Sequence, residues 1–513
     1  MYALVTLSAL LHSATAAAPR PVELAPYSPG WHLRAYPSWE SWGASPGAGF
    51  GSDAAAGDVN GDGLADALIT APGTRELYLY PGTREGLSAR PQVLRAPSGD
   101  EPFFAHRVWF AGDVNGDRRG DVWVGSGGGA RQRGRLMLFL GSDKGLGQKP
   151  AHTLEVAAGQ GRLPVSVSPG DANGDGFSDV LVARCGLRGL ELRVGSKGGL
   201  AAQPVWKASF PKEASSPAMA SSFDCTVELA GDLTGDGRPD AVLRTFGCED
   251  TSGTRCGAAL HLYASSAQGV FAREPVAVDL AVLHEEDRKA GGNNWTTGTT
   301  MHGRADVDGD GRADLVLAAP GYEMDGHHAG RLYVLYGPLK DGRARASSAL
   351  TLFDKTELGD VRVAVGDVNR DGMADVVVGA VTAQNVDWGR DRAALLMGGK
   401  EGFSARSDWQ VQAEPGRYAS FGRTLALADF TGDGSPDLLI AAPSQSFRLE
   451  YDRVPNGPPE SLVLSFGRAL LYLGGPAPEK PRVTPPVTAL PRPMCPDLSA
   501  ELCGVKPPQA PAP

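Results

Sequence analysis

One nine-residue pattern occurs seven times in the sequence. Its first, fifth and ninth positions are aspartate, and its third is asparagine, aspartate or threonine. Successive copies begin 55, 58, 61, 74, 61 and 62 residues apart, and such a period predicts one supersecondary unit per copy. The copies run from Asp58 to Asp66, Asp113 to Asp121, Asp171 to Asp179, Asp232 to Asp240, Asp306 to Asp314, Asp367 to Asp375 and Asp429 to Asp437.

Each unit consists of short apolar stretches separated by turns. One stretch precedes the pattern and two follow it, as at residues 314–320 and 331–337 in the fifth unit. A glycine-rich turn and a more polar stretch, often ending near a tryptophan such as Trp206 or Trp409, complete the unit. Four antiparallel strands per unit predict an all-β fold, a seven-bladed β-propeller of four-stranded blades. The competing arrangement is a linear array of seven sheets, which leaves long sheet edges exposed.

Composition excludes several other classes. The chain has 68 glycines and 39 prolines in 513 residues, which disfavours long helices. It has no apolar run of about 18 residues, so we expect no membrane span. The net charge of −10 counts against a nucleic-acid partner.

The two ends of the chain differ from the repeats. Residues 1–18 contain an apolar stretch followed by small residues, which predicts a signal peptide and a secreted protein, extracellular or periplasmic. We assign residues 19–475 to the propeller and residues 476–513, with 12 prolines, to an extended, disordered tail. The seventh unit has no fourth strand after Gly474, so we expect the segment Trp31–Trp42 to supply it and close the ring.

The pattern has the chemistry of a calcium loop. Side-chain oxygens stand at positions 1, 3, 5 and 9, position 7 offers a carbonyl, and a glycine at position 6 lets the chain wrap an ion. Position 12 is apolar in every copy, whereas a helix–loop–helix calcium site needs a bidentate glutamate there. The loop is therefore predicted to be a hairpin turn closed by the aspartate at position 9. The alternative is that aspartate, asparagine and glycine are simply good turn residues.

The sequence predicts up to seven Ca²⁺ sites, and Mg²⁺ fits less well because it retains its water. Arg118 replaces glycine at position 6, which counts against the site at residues 113–121, and threonine at position 3 is a weaker ligand. The predicted ligands are Asp58, Asn60, Asp62, Asp66, Asp113, Asn115, Asp117, Asp121, Asp171, Asn173, Asp175, Asp179, Asp232, Thr234, Asp236, Asp240, Asp306, Asp308, Asp310, Asp314, Asp367, Asn369, Asp371, Asp375, Asp429, Thr431, Asp433 and Asp437.

The charge balance agrees with metal binding. The seven loops hold 22 of the 59 acidic residues, and seven bound Ca²⁺ ions change the formal charge from −10 to +4. Without metal, each loop holds three or four neighbouring carboxylates, which repel one another. We therefore expect calcium to stabilise the fold.

The stretch GFGSDAAAGDVNGDGLADALITAPG, Gly49–Gly73, resembles an FG-GAP repeat. Phe421-Gly422 with Ala442-Pro443 repeats this signature, and Ala319-Pro320-Gly321 keeps its second half. Such repeats build the seven-bladed, calcium-binding propeller of integrin α-subunits and of many secreted bacterial proteins. The resemblance covers roughly residues 50–474 and implies a role in adhesion or ligand recognition.

The longest connections are expected on the face of the propeller opposite the calcium loops. Loops on a rigid scaffold commonly carry function, and aromatic side chains make good anchors for proteins or sugars. The candidate partner-binding residues there are Trp295, Tyr322, Trp388 and Tyr451. The alternative for each is a buried aromatic residue in a loop without function.

These observations favour a secreted calcium-binding module, by default monomeric, that binds a protein or a cell-surface glycan. The first alternative is a carbohydrate-binding, lectin-like propeller, and the second is a propeller hydrolase or lyase. No catalytic acid–base pair is visible in the sequence, so we expect no enzyme activity.

Six cysteines allow fifteen connectivities. Cys248 and Cys256 flank a hairpin loop and are the best-placed pair; Cys495 with Cys503 and Cys185 with Cys225 complete one arrangement. The alternative is six free thiols.

Overall fold

The computed structural model describes residues 33–97, 101–127, 133–158, 165–211, 224–248, 256–283, 300–324, 327–352, 358–382, 391–413, 420–451 and 460–475, except 35, 102, 267–269, 282, 406, 408, 445 and 466. The expected signal peptide at residues 1–18 and the proline-rich tail at residues 476–513 lie outside these ranges. Within these ranges, no helix has the length and apolarity needed to span a bilayer.

Seven four-stranded antiparallel sheets form the blades of a β-propeller, which confirms the predicted fold class. In every blade the nine-residue loop joins the first strand to the second. The strands, first to fourth, are Ala54–Gly57, Asp66–Ala71, Glu76–Tyr80 and Gln92–Arg95 in blade one; Phe103–Gly112, Asp121–Gly127, Arg133–Phe139 and His152–Ala158 in blade two; Val165–Gly170, Asp179–Arg184, Gly189–Arg193 and Trp206–Ser209 in blade three; Asp224–Leu229, Ala241–Cys248, Cys256–Tyr263 and Val276–Ala277 in blade four; Thr300–Ala305, Asp314–Ala319, Arg331–Tyr336 and Ala346–Thr351 in blade five; Leu358–Gly366, Asp375–Thr382, Arg392–Leu396 and Trp409–Gln412 in blade six; and Thr424–Ala428, Asp437–Ala442, Arg468–Tyr472 and Trp39–Trp42 in blade seven.

The remaining elements are short. Cys185–Leu187 forms a 3₁₀ turn between the second and third strands of blade three. Three hairpins pair Gly82–Thr83 with Gly86–Leu87, Glu323–Met324 with His327–His328, and Ser446–Tyr451 with Glu460–Ser465. The expectation that residues 320–330 and 443–466 are irregular is therefore wrong in part. In blade seven, Phe447, Leu449 and Tyr451 alternate with other residues, and this period of two is the pattern of a strand.

The first described residues of the chain complete the last blade. Trp39 pairs with Leu471 and Trp42 pairs with Arg468, in antiparallel register. The strand is shorter than the expected segment Trp31–Trp42, of which residues 31, 32 and 35 lie outside the described ranges. Pro37 lacks an N–H group, which limits extension of the strand towards the N-terminus.

The core lies in the layers between neighbouring blades. The second strand is buried along its length, as in Asp66–Ala71, because it lies between two other strands and has a blade packed on each face. Aromatic residues of a fourth strand contact a tyrosine at the end of the third strand of the next blade. Three junctions show this edge-to-face contact, with ring centroids 4.8–5.6 Å apart: Trp39 with Tyr80, Trp206 with Tyr263, and Trp409 with Tyr472.

Two glycines of the FG-GAP signature allow close packing of adjacent blades. Gly422 has φ of 82° and lies against Gly379 of blade six, where an added β-carbon would come within 3.1 Å of the Gly379 Cα. Gly51 has φ of 85°, and a β-carbon there would come within 2.7 Å of the Ala441 side chain in blade seven. A side chain at either position therefore conflicts with both the backbone conformation and the neighbouring blade.

A disulfide joins blades three and four. Cys185 and Cys225 are both buried and are bonded to each other, with their Cα atoms 5.6 Å apart. In blade four, Cys248 and Cys256 occupy directly opposite positions in the antiparallel register of the second and third strands. Cys495 and Cys503 lie outside the described residues.

Candidate metal centres

The first loop shows how the pattern folds. Asp58, at position 1, accepts hydrogen bonds from the N–H groups of Gly61 (2.6 Å) and Gly63 (2.8 Å). Asn60 accepts one from the Asp62 N–H (2.8 Å), and Asp62 accepts one from the Leu64 N–H (2.9 Å). The backbone thus curls around the side-chain oxygens of positions 1, 3 and 5 and holds them on the inside of the turn.

The aspartate at position 9 connects each loop to the rest of its blade. In the first loop, Asp66 Oδ2 accepts from the Val59 N–H at 3.0 Å and Oδ1 accepts from the Gly82 N–H at 2.9 Å. The same pair of backbone contacts, to position 2 and to the turn after the third strand, recurs in all seven blades. The aspartates are Asp66, Asp121, Asp179, Asp240, Asp314, Asp375 and Asp437, and all seven are fully buried.

Burial raises the pKa of these carboxyl groups. It raises the pKa of Asp66 to about 6 and that of Asp121 to about 7, although both accept backbone hydrogen bonds that act in the opposite direction. The carboxylates at positions 5 and 1 raise these pKa values further. Burial likewise raises the pKa of Asp179, Asp314 and Asp375 to about 6, that of Asp437 to about 7, and that of Asp240. A cation in the loop would offset both the burial and the repulsion.

The fifth loop brings three carboxylates together. One oxygen from each of Asp306, Asp308 and Asp314 lies within 4.8 Å of the others. That spacing is about twice the Ca–O distance of about 2.4 Å, so a single ion can reach all three. Carboxylate oxygens are the ligands that hard divalent cations prefer. The predicted ligand set therefore fits such an ion at this loop.

The second loop keeps the same backbone arrangement despite its substitution. Arg118 adopts φ of 65°, in the left-handed region, and its N–H donates to Asp113 Oδ2 at 2.6 Å. This is the hydrogen bond that Gly63 makes in the first loop. The loop thus folds like its neighbours, and the arginine is in a backbone conformation that glycine adopts more readily.

Neighbouring loops are hydrogen-bonded to each other. At four junctions the N–H of position 8 donates to the carbonyl of position 1 in the preceding loop, over 2.6–3.0 Å: Gly120 to Asp58, Ser178 to Asp113, Ala374 to Asp306, and Ala65 to Asp429. Position 8 is proline in the fourth and seventh loops, Pro239 and Pro436, so the donor is missing there. At the junction of blades six and seven, Arg370 instead donates to the Asp433 carbonyl at 3.1 Å. The sequence analysis missed these contacts, although the proline at position 8 was a visible signal.

The candidate partner-binding residues do not form one described surface. Tyr322 is fully buried, and its hydroxyl accepts a hydrogen bond from Arg331 at 2.8 Å. Its assignment as a surface anchor is therefore wrong, because the ring packs under the Arg331 guanidinium group inside the blade. Tyr451 ends the first strand of the blade-seven hairpin. Trp295 and Trp388 lie outside the described residues.

The fold and the repeated loops define a β-propeller built of FG-GAP repeats. The FG-GAP repeat family matches residues 50–83 and 421–457, and the FG-GAP-like repeat family matches residues 113–182 and 306–378. These matches cover parts of blades one, two, three, five, six and seven. The sequence resemblance stated above is thereby confirmed.

Curated relatives include both enzymes and integrin α chains. The sequence is 35% identical over 149 residues to human phosphatidylinositol-glycan-specific phospholipase D, covering 27% of this chain and 18% of the relative. It is 30% identical over 172 residues to integrin alpha-PS5 of Drosophila melanogaster, covering 32% of this chain and 17% of the relative. It is 33% identical over 157 residues to mouse integrin alpha-8, covering 27% and 14%. The matched part thus spans less than a fifth of each of these relatives.

Proposed function

We propose that this chain is a secreted, calcium-binding β-propeller that acts as a non-catalytic binding module for a protein or cell-surface ligand. The observation that supports this most is the recurrence of one acidic loop in all seven blades, each with a buried carboxyl group of raised pKa. Bound calcium would supply the positive charge that these loops lack. The ligands would be the oxygens of positions 1, 3, 5 and 9.

Secretion is supported by the buried disulfide between Cys185 and Cys225, because such bonds persist in oxidising compartments. A binding role is supported by the similarity to integrin α chains. A glycan is the second candidate ligand. It is supported by the similarity to phosphatidylinositol-glycan-specific phospholipase D, whose name refers to a glycan.

Thermal unfolding tests the calcium proposal. We expect the melting temperature to rise by at least about 10 °C when chelator is replaced by millimolar Ca²⁺. Each site adds about 1.4 kcal/mol of stability when calcium is at ten times its Kd, and several sites act together. Mg²⁺ at the same concentration serves as the control and should stabilise less, because it retains its water. Identical curves with chelator and with calcium would contradict the proposal.

The binding role is tested with the immobilised protein. Surface proteins and polysaccharides from its own environment are passed over it in calcium and in chelator. Retention of a protein only in calcium supports the first candidate, and retention of a polysaccharide supports the second. If nothing is retained by a protein that melts cooperatively in calcium, the binding role is wrong.

A further inference from the structure

The fifth loop differs from the others at position 3. Four loops have asparagine there, and its amide donates to the carboxylate at position 5, as from Asn60 to Asp62 (2.9 Å) and from Asn173 to Asp175 (2.9 Å). In the fifth loop Asp308 occupies position 3 and, as a carboxylate, has no proton to donate. The loop therefore has one more negative charge and one fewer internal donor than the asparagine loops.

Arg345 supplies the missing donor. It directly precedes the fourth strand of blade five, and its Nη2 lies 2.6 Å from Asp308 Oδ2 and 3.0 Å from Asp310 Oδ2. Its Nε donates to the Gly337 carbonyl at 3.0 Å, while the Gly337 N–H donates to Asp314. The guanidinium group thus bridges positions 3 and 5 and is tied through Gly337 to position 9. Arg312 approaches only Asp310, at 3.4 Å.

We propose that Arg345 is a resident cation of the fifth loop, which competes with calcium for Asp308 and Asp310, and that Asp308 is the additional carboxylate that offsets it. This inference rests on the calcium binding proposed above. Arginine does not lose its proton in proteins, so the competition persists at every physiological pH.

The surroundings of Arg345 allow it to leave. Its side chain is 44% exposed, whereas that of Asp308 is 10% exposed. A calcium ion that takes the two carboxylates therefore displaces the guanidinium group towards solvent rather than into the core. With Arg345 in place, the four aspartates and one arginine carry the same net charge as the three aspartates of an asparagine loop. The fifth loop is thus partly neutralised before any metal enters.

Terbium luminescence isolates this loop from the other six. Tb³⁺ replaces Ca²⁺ at oxygen sites and emits when a nearby aromatic ring is excited. The Tyr336 ring lies 5.8 Å from the Arg345 guanidinium carbon, so the signal lost in a Tyr336→Phe variant reports on the fifth loop. Arg345→Gln should bind Tb³⁺ about tenfold more tightly at this loop, because one positive charge beside the ion is removed. High salt should reduce this gain.

Arg343→Gln is the matched control. Arg343 lies on the same turn and pairs with Asp279, away from the fifth loop, so its removal should leave the Tyr336-dependent affinity unchanged. Asp308→Asn tests the pair from the other side with a residue that four other loops contain. We expect it to weaken binding about tenfold while Arg345 remains, and the double variant Asp308→Asn/Arg345→Gln to return towards the original affinity.

Equal or weaker binding by Arg345→Gln, or no recovery in the double variant, would overturn the role of Arg345. The proposed calcium binding itself would stand in that case, because the other loops still bind. Absence of any Tb³⁺ or Ca²⁺ binding in the unmodified protein overturns both proposals. Cooperative melting in chelator shows that each variant is folded.

Discussion

Among single residues, Glu191 in blade three contributes a buried ion pair outside the metal loops. Its Oε1 lies 2.9 Å from Arg184 Nη2 and 3.3 Å from Arg193 Nε. Burial acts to raise the pKa of Glu191, but the two arginines outweigh it and lower the pKa below its ordinary value of 4.5. A carboxyl group with a lowered pKa stabilises the fold above its unfolded value, and this contribution is lost as the pH falls through the folded pKa.

Glu191→Gln should therefore lower the free energy of unfolding by about 2 kcal/mol at pH 7, because a buried guanidinium group loses its counter-charge. Below pH 4.5 the difference between the two proteins should shrink, since Glu191 of the unmodified protein then becomes protonated. Urea denaturation at pH 7 and at pH 3.5 measures both values. Glu401→Gln, at an exposed turn, is the control and should change neither. A cost that is independent of pH would show that the ion pair does not stabilise the fold.

For the elements, the junction between neighbouring loops is the feature that the repeat itself makes testable. Ser178 occupies position 8 of the third loop, and its N–H donates to the Asp113 carbonyl at 2.8 Å. Pro239 shows that the same loop accepts proline at this position. Ser178→Pro should thus keep the loop but remove the hydrogen bond to the preceding blade, which lowers the free energy of unfolding by about 1 kcal/mol.

Ser178→Ala is the matched control for this substitution, since it removes the hydroxyl group and keeps the N–H. Chemical denaturation of both variants in chelator separates the inter-blade hydrogen bond from metal binding. If the two variants are equally stable, the contact between the loops contributes nothing and each loop stabilises only its own blade.

Much of the architecture could be predicted because it is written in short, repeated stretches. The aspartate at position 9 is followed by an apolar strand in every copy, and the structure has the second strand there. Features that depend on a partner far away in the chain could not be predicted in this way. The alternatives left the Cys185–Cys225 pairing open, since it requires two blades in contact. Tyr322 lies in a connection, and only the position of Arg331 shows that its ring is buried.

In the whole molecule, the ring depends on residues from near the start of the chain. Leu33 is buried between blades six and seven, and the Arg34 carbonyl accepts a hydrogen bond from the Trp409 indole at 3.0 Å. The N–H groups of Arg34 and Ser38 donate to the carbonyls of Leu473 and Leu471. Glu40 then pairs with Arg468 at 2.9 Å. Without this segment, the strand Arg468–Tyr472 is an open edge of the sheet.

Deletion of residues 1–43 should therefore lower the melting temperature by more than about 10 °C, because it removes a strand and exposes the apolar surface that Leu33 and Trp39 cover. It should also promote self-association, since an unpaired edge strand is a template for pairing with another chain. Differential scanning calorimetry and light scattering measure the two effects. Deletion of residues 1–32 is the control and should leave both unchanged, because it keeps the closing strand and every contact described for it. A monomeric, equally stable 44–513 protein would show that pairing of the chain ends does not hold the ring closed.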